Sequence, residues 1–119
     1  MILLNEYQVE AARTRAPSNN TGHALIVVTL GLSGEAGEFS EHIKKWYGHG
    51  HPMERELLAQ ELGDILWYVA NAADLLGFSL SEIADLNAAK LRARYPDGFS
   101  TERSLNRSLD GKEVTQLGT

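Results

Sequence analysis

Apolar residues recur along this chain at helical spacing, and no stretch alternates strictly enough to suggest a strand. Leu4, Tyr7 and Ala11 mark a first segment, "LNEYQVEAART" (residues 4 to 14), which Pro17 and the following "SNNTG" end. From about His23 to Tyr47, the residues Leu32, Ala36, Phe39, Ile43 and Trp46 fall at i, i+4, i+7, i+11 and i+14, one stripe of a helix. Gly31, Gly34 and Gly37 weaken that helix, by up to about 1 kcal/mol each relative to alanine. Glycines also let another backbone or a ligand come close, so the spacing still predicts a helix. "GHGHP" at 48 to 52 reads as a loop, with Pro52 suited to the start of the next helix. That helix is predicted from about Met53 to Leu76, with Gly77 as its C′ residue. Ser79 and Glu82 form a capping-box pattern ahead of a helix over about Leu80 to Arg94, halted before Pro96. Residues 101 to 119 are polar and aperiodic, a loosely held tail. The pattern predicts an all-α antiparallel bundle of about four helices, with one domain over residues 1–100 and a tail over 101–119.

The acidic residues disturb this pattern in two places. In "GLSGEAGEFSEHIKK" (31 to 45), with Leu32 as the centre of the apolar stripe, Glu35 falls about 60° to one side and Glu38 about 120° on the same side. Glu41 lies nearly opposite and is expected in solvent. In "AQELGDILWYVANAAD", Leu62 centres a stripe of Leu58, Leu62, Ile65, Leu66, Val69, Ala73 and Leu76, with Glu61 about 100° to one side and Asp64 about 160°. Each helix thus carries a carboxylate pair at the edge of its apolar face. Antiparallel neighbours joined by a short loop bring four such groups together. Four clustered carboxylates repel one another and resist ionisation unless a cation sits among them, and oxygen-only ligands suit magnesium. The competing reading is that both pairs are solvated helix flanks.

Composition narrows the chemistry further. The 119 residues fit one domain with one core, and no cysteine is present to supply a disulfide, a thiolate nucleophile or a thiolate metal ligand. A net charge of −5 argues against non-specific nucleic-acid binding. No apolar run approaches the roughly 20 residues of a membrane span, and the start "MILLNEYQVEAAR" lacks a signal-peptide pattern. The expectation is a cytoplasmic protein. None of His23, His42, His49 and His51 makes an H-E-x-x-H or E-x-x-H pattern, which leaves zinc and carboxylate-bridged di-iron bundles without their usual ligands.

The segments "GLSGEAGEFSEHIKK", "ELGDILWYVANAADLLGFSLSEIA" and "NAAKLRARYPDGF" resemble the MazG-like nucleoside triphosphate pyrophosphohydrolases of the all-α NTP pyrophosphatase superfamily. The resemblance covers roughly residues 4 to 100. Its E-x-x-E and E-x-x-D signature is met by Glu35, Glu38, Glu61 and Asp64, and a K-x-x-x-R-Y-P segment follows. The resemblance implies magnesium-dependent hydrolysis of a (deoxy)nucleoside triphosphate to the monophosphate and pyrophosphate, with manganese as a substitute ion. It makes Glu35, Glu38, Glu61 and Asp64 the metal ligands, with Glu38 or Glu35 also orienting the attacking water. Many members carry a further acid directly before the first signature glutamate, where this chain has Gly34.

Several other residues are candidate substrate contacts. Tyr68 and Asn71 follow Asp64 on nearly the same face of the helix, and Lys45 follows Glu38 two turns on. Lys90 and Arg94, four apart near a helix C-terminus, suit a polyphosphate as well as the helix dipole. Trp46 occupies the apolar stripe, a packing position, although an indole can also stack on a base. Trp67 and Leu75 point away from the Leu62 stripe, so that helix is apolar around most of its circumference. A small bundle cannot cover it alone, which favours a homodimer or homotetramer. The chief rival to an enzyme is a non-catalytic helical oligomer that retains the acidic motif and serves as an interaction module.

Overall fold

The computed structural model describes residues 1–107. Five helices follow one another: α1 Leu4–Arg13, α2 Thr21–His49, α3 Arg55–Leu75, α4 Leu80–Arg94 and α5 Thr101–Leu105. Among the described residues there is no strand, and an isolated bridge joins Pro96 and Gly98. The all-α expectation holds.

The helix ends have local causes. Asn20 Oδ1 accepts from the His23 backbone N–H at 2.9 Å, which starts α2 two residues ahead of the predicted His23. Gly50 ends it in the left-handed region at φ 71°, so α2 extends to His49. Helix α3 begins at Arg55, and Pro52 therefore lies in the loop rather than in the first helical turn. Its far end closes on Gly77 at φ 83°, with the Phe78 N–H reaching back to the Ala73 carbonyl at 2.9 Å. Helix α4 has the predicted limits. Residues 101–105 depart from the expected tail: Ser100 Oγ accepts from the Arg103 N–H at 3.4 Å and caps the single turn of α5. The tail from residue 108 onward lies outside the described residues.

Contacts divide the chain into two compact units, Met1–Ser81 and a second that begins at Glu82. In the first, α3 packs against both α1 and α2. Gly31 lies against Tyr68 and His42 against Glu61, so α2 and α3 run antiparallel. The centre is small: Ala11, Ala70 and Leu80 are buried together, flanked by Tyr7, Trp67 and Val69. Gln8 stitches it together. Its Nε2 donates to the carbonyls of Ala70 (3.3 Å) and Phe78 (3.0 Å), while its Oε1 accepts from the Leu80 N–H (2.9 Å). In the second unit, Tyr95 and Phe99 stack with ring centroids 5.6 Å apart around Gly98 at φ 90°.

The predicted stripe of α3 is buried over only part of its length. Ala73 is buried and Val69 half-buried, but Leu62 is 53% exposed and Leu66 39%. Helix α1 has 10 residues and spans about 15 Å, whereas α3 has 21 and spans about 31 Å, so one cannot cover the other. Trp46, assigned to packing, is likewise 41% exposed, and Ile26, Val27 and Leu30 of α2 are open. No helix among the described residues is long and apolar enough to cross a membrane.

Candidate metal centre

The antiparallel pairing of α2 with α3 turns two sequence-distant acidic pairs into one cluster. Glu35, Glu38 and Glu61 each place a carboxylate oxygen within 4.8 Å of the others. Glu38 is exposed, whereas Glu35 and Glu61 are half-buried, and Oε2 of each of these two is buried without a hydrogen-bond partner. Buried acceptors left unpartnered cost roughly 1–3 kcal/mol each, so such a pair calls for an explanation. Burial holds the Glu35 carboxyl above the usual 4.5, reinforced by the charges of Glu38 and Asp64 and by the neighbouring Glu61 carboxyl. Asp64 is exposed on α3, one turn past Glu61. It bears on Glu35 as a neighbouring charge, outside the closely grouped trio. It also raises the Tyr7 hydroxyl, after the larger effect of burial. Only oxygen donors are gathered, two of them aimed inward with nothing to accept from, and that set fits a hard divalent cation.

A family model of the MazG nucleotide pyrophosphohydrolase domain matches residues 25–99, the stretch that contains all four signature acids. This chain belongs to the MazG family. It is also 37% identical over 100 residues to the gene 37 protein of Mycobacterium phage L5, a match that covers 77% of this chain and 88% of the phage protein. No solved structure matches it significantly.

Around the MazG signature, His42 was weighed in the sequence only as a zinc ligand, and its contact with the acids was missed. Its Nε2 lies 3.3 Å from Glu61 Oε1, on the side of the carboxylate away from the unpartnered Oε2. The available signal was its position four residues after Glu38, one turn along the same helix. Glu41 is exposed as expected and binds Lys44 at 2.9 Å. That hydrogen bond is the main reason its carboxyl lies below the usual range. Lys45 lies 3.9 Å from the same carboxylate and lines a small cavity of about 40 Å³ with His42 and Trp46. Nothing lies within 4 Å of a Cβ placed on Gly34, so the backbone leaves room for the acid that other members carry there.

Tyr68 explains Gly31. A Cβ at Gly31 would sit 2.1 Å from Tyr68 Cε1, so only glycine lets the ring lie across α2. Tyr68 and Trp67, in an edge-to-face pair with centroids 4.8 Å apart, wall a cavity of about 710 Å³ with the α1–α2 loop and the first turns of α2. Asn71 is buried. Its Nδ2 donates to the carbonyls of Ala11 (3.3 Å) and Trp67 (3.0 Å), and its Oδ1 accepts from Arg15 (2.8 Å). Lys90 and Arg94 belong to the second unit, where the Arg94 guanidinium lies 5.9 Å from the Tyr95 ring centre.

Proposed function

We propose that this MazG domain is a magnesium-dependent pyrophosphohydrolase that converts (deoxy)nucleoside triphosphates to the monophosphate and pyrophosphate, keeping the cytoplasmic nucleotide pool clean. The observation that carries this reading is the pair of unpartnered carboxylate oxygens, on Glu35 and Glu61, within a three-glutamate cluster on a MazG signature. Magnesium is the ion the donors suit best, manganese the substitute. A divalent ion bound there would supply charge neutralisation for the phosphate oxygens and a more acidic water. Glu35, Glu61 and Asp64 would hold it, and Glu38, the exposed member of the trio, would both ligate it and orient the attacking water toward the α-phosphorus. Lys45 supplies positive charge for the polyphosphate. Tyr68 stands between the acids and the 710 Å³ cavity, one turn or about 6 Å along α3 from Asp64, a span suited to a pentose. The nucleoside therefore occupies the cavity while its phosphates reach the acids. Open apolar residues on α2 and α3 support a homodimer or homotetramer as the working form.

Pyrophosphate release from a panel of nucleotides, with and without magnesium, tests the reading. Release that requires the ion is expected. No release across the panel at micromolar enzyme would replace the enzyme by a helical interaction module.

A further inference from the structure

The cavity beside Tyr68 holds a cation whose hydrogen-bonding capacity is half spent. Arg15, at the start of the α1–α2 loop, lines that cavity. Its Nη1 donates to Asn71 Oδ1 at 2.8 Å and pairs with Asp74 Oδ2 at 2.9 Å. Both contacts are made by that one nitrogen, and Nε and Nη2 have no partner among the described residues. The side chain is also fixed from behind. Asn71 is itself tied to Ala11 and Trp67, and the Trp67 indole N–H donates to Thr14 Oγ1 at 2.8 Å, which locks the ring that forms the next wall. The result is a cavity walled by two aromatic rings set edge to face, with a guanidinium held in place that carries a planar set of free donors. Stacking surfaces accept any base, because every base has a π-face. A fixed fork of donors does not: it needs two acceptors side by side.

We propose that Arg15 makes this cavity selective for nucleobases with two adjacent acceptors, guanine and cytosine, over adenine, uracil and thymine. Guanine presents N7 beside O6, and cytosine N3 beside O2. Adenine sets an amino donor beside each acceptor on its exposed edges, and uracil and thymine set an N–H between their two carbonyls, so the fork meets a donor in each case. The inference rests on the placement of the nucleoside described above, and its test separates the two.

The experiment measures kcat/KM with magnesium for dGTP, dCTP, dATP and dTTP on the full chain, and metal-free binding of the four deoxynucleosides by calorimetry. The wild type is expected to favour dGTP and dCTP by about tenfold or more, the value of one bidentate contact. Arg15→Lys keeps a cation between Asn71 and Asp74 but loses the fork, and should bring the four substrates within about threefold while helicity is retained. Arg15→Met should do the same, and if it fails to fold, the lysine variant decides. Turnover without base preference in the wild type overturns the inference and leaves the pyrophosphohydrolase reading standing. An equal loss on all four substrates in Arg15→Lys also overturns it, since the arginine would then serve phosphates or the fold. Absent turnover with selective binding of deoxyguanosine and deoxycytidine supports it against the enzyme reading. Absent turnover with unselective or no binding overturns it.

Discussion

The two halves of α3 are built on opposite terms. From Trp67 to Ala73 polar and apolar needs are met. Ala70 and Ala73 are buried, both ends of the Asn71 side chain are hydrogen-bonded, and the Trp67 indole has Thr14. From Glu61 to Leu66 they are not: Glu61 Oε2 is buried without a partner, and Leu62 and Leu66 are open. Both halves lie on one helix against the same α2. The second half can therefore be held rigidly by packing while the first keeps ligating atoms free and apolar surface uncovered. Buried polar groups left unpaired are costly, so their persistence in one half beside complete satisfaction in the other marks where a ligand is expected.

The largest effect should come from the unsatisfied half. Glu38→Gln or Asp64→Asn should lower kcat by more than about a hundredfold, since even residues that only support a metal ligand cost 10- to 100-fold. Thermal stability without metal should be unchanged or higher, because each substitution removes a negative charge facing Glu35. A variant with wild-type kcat would remove its residue from the site. In the satisfied half the effect should fall on folding instead. Asn71→Ala leaves two carbonyls and the Arg15 contact without their partner, and should cost about 2–3 kcal/mol in urea denaturation. A loss below about 0.5 kcal/mol would mean that water replaces the amide and the half is less rigid than its bonds suggest. Gly31→Ala stands between them: its Cβ must displace the Tyr68 ring, at about 1–3 kcal/mol by analogy with overpacked cores. An unchanged melting temperature would show that the ring moves freely.

The same contrast explains what the sequence disclosed. Four of the five helices were legible from apolar spacing, and Gly77 marked the end of α3 because it acts on the chain next to it, whereas α5 and the Asn20 and Gly50 ends of α2 were not read. The pairing of Glu35 and Glu38 with Glu61 was legible because a short loop forces α2 and α3 to be neighbours. Asn71 was read as a candidate substrate contact, but its hydrogen bonds go to Ala11, Trp67 and Arg15. Two of those partners lie 56 and 60 residues away, and no local spacing reveals them. Leu62 was centred in the core because periodicity identifies an apolar face without saying whether another element is long enough to cover it. The fixed guanidinium of Arg15 was hidden for the same reason as Asn71.

The smallest expected effect is a pH dependence of the metal-free protein. Glu35 holds its proton more tightly folded than unfolded, chiefly through burial and then through Glu38 and Asp64. A raised folded pKa contributes stability that is fully present below the unfolded value of 4.5 and is lost as pH rises through the folded value. The melting temperature of the metal-free protein should therefore decline across that window. Glu41 works in the opposite direction, since its carboxyl is lowered by Lys44 and its contribution disappears as pH falls, but this pair is exposed and screened. Glu35→Gln separates the two: it should flatten the decline, leaving the Glu41 contribution in place. Magnesium should restore stability most at the high end of the window, where the carboxylates are ionised and ready to bind. If the metal-free slope is the same with and without the Glu35 carboxyl, the acidic cluster that α2 forms with the open half of α3 does not carry the electrostatic strain that distinguishes it from the closed half.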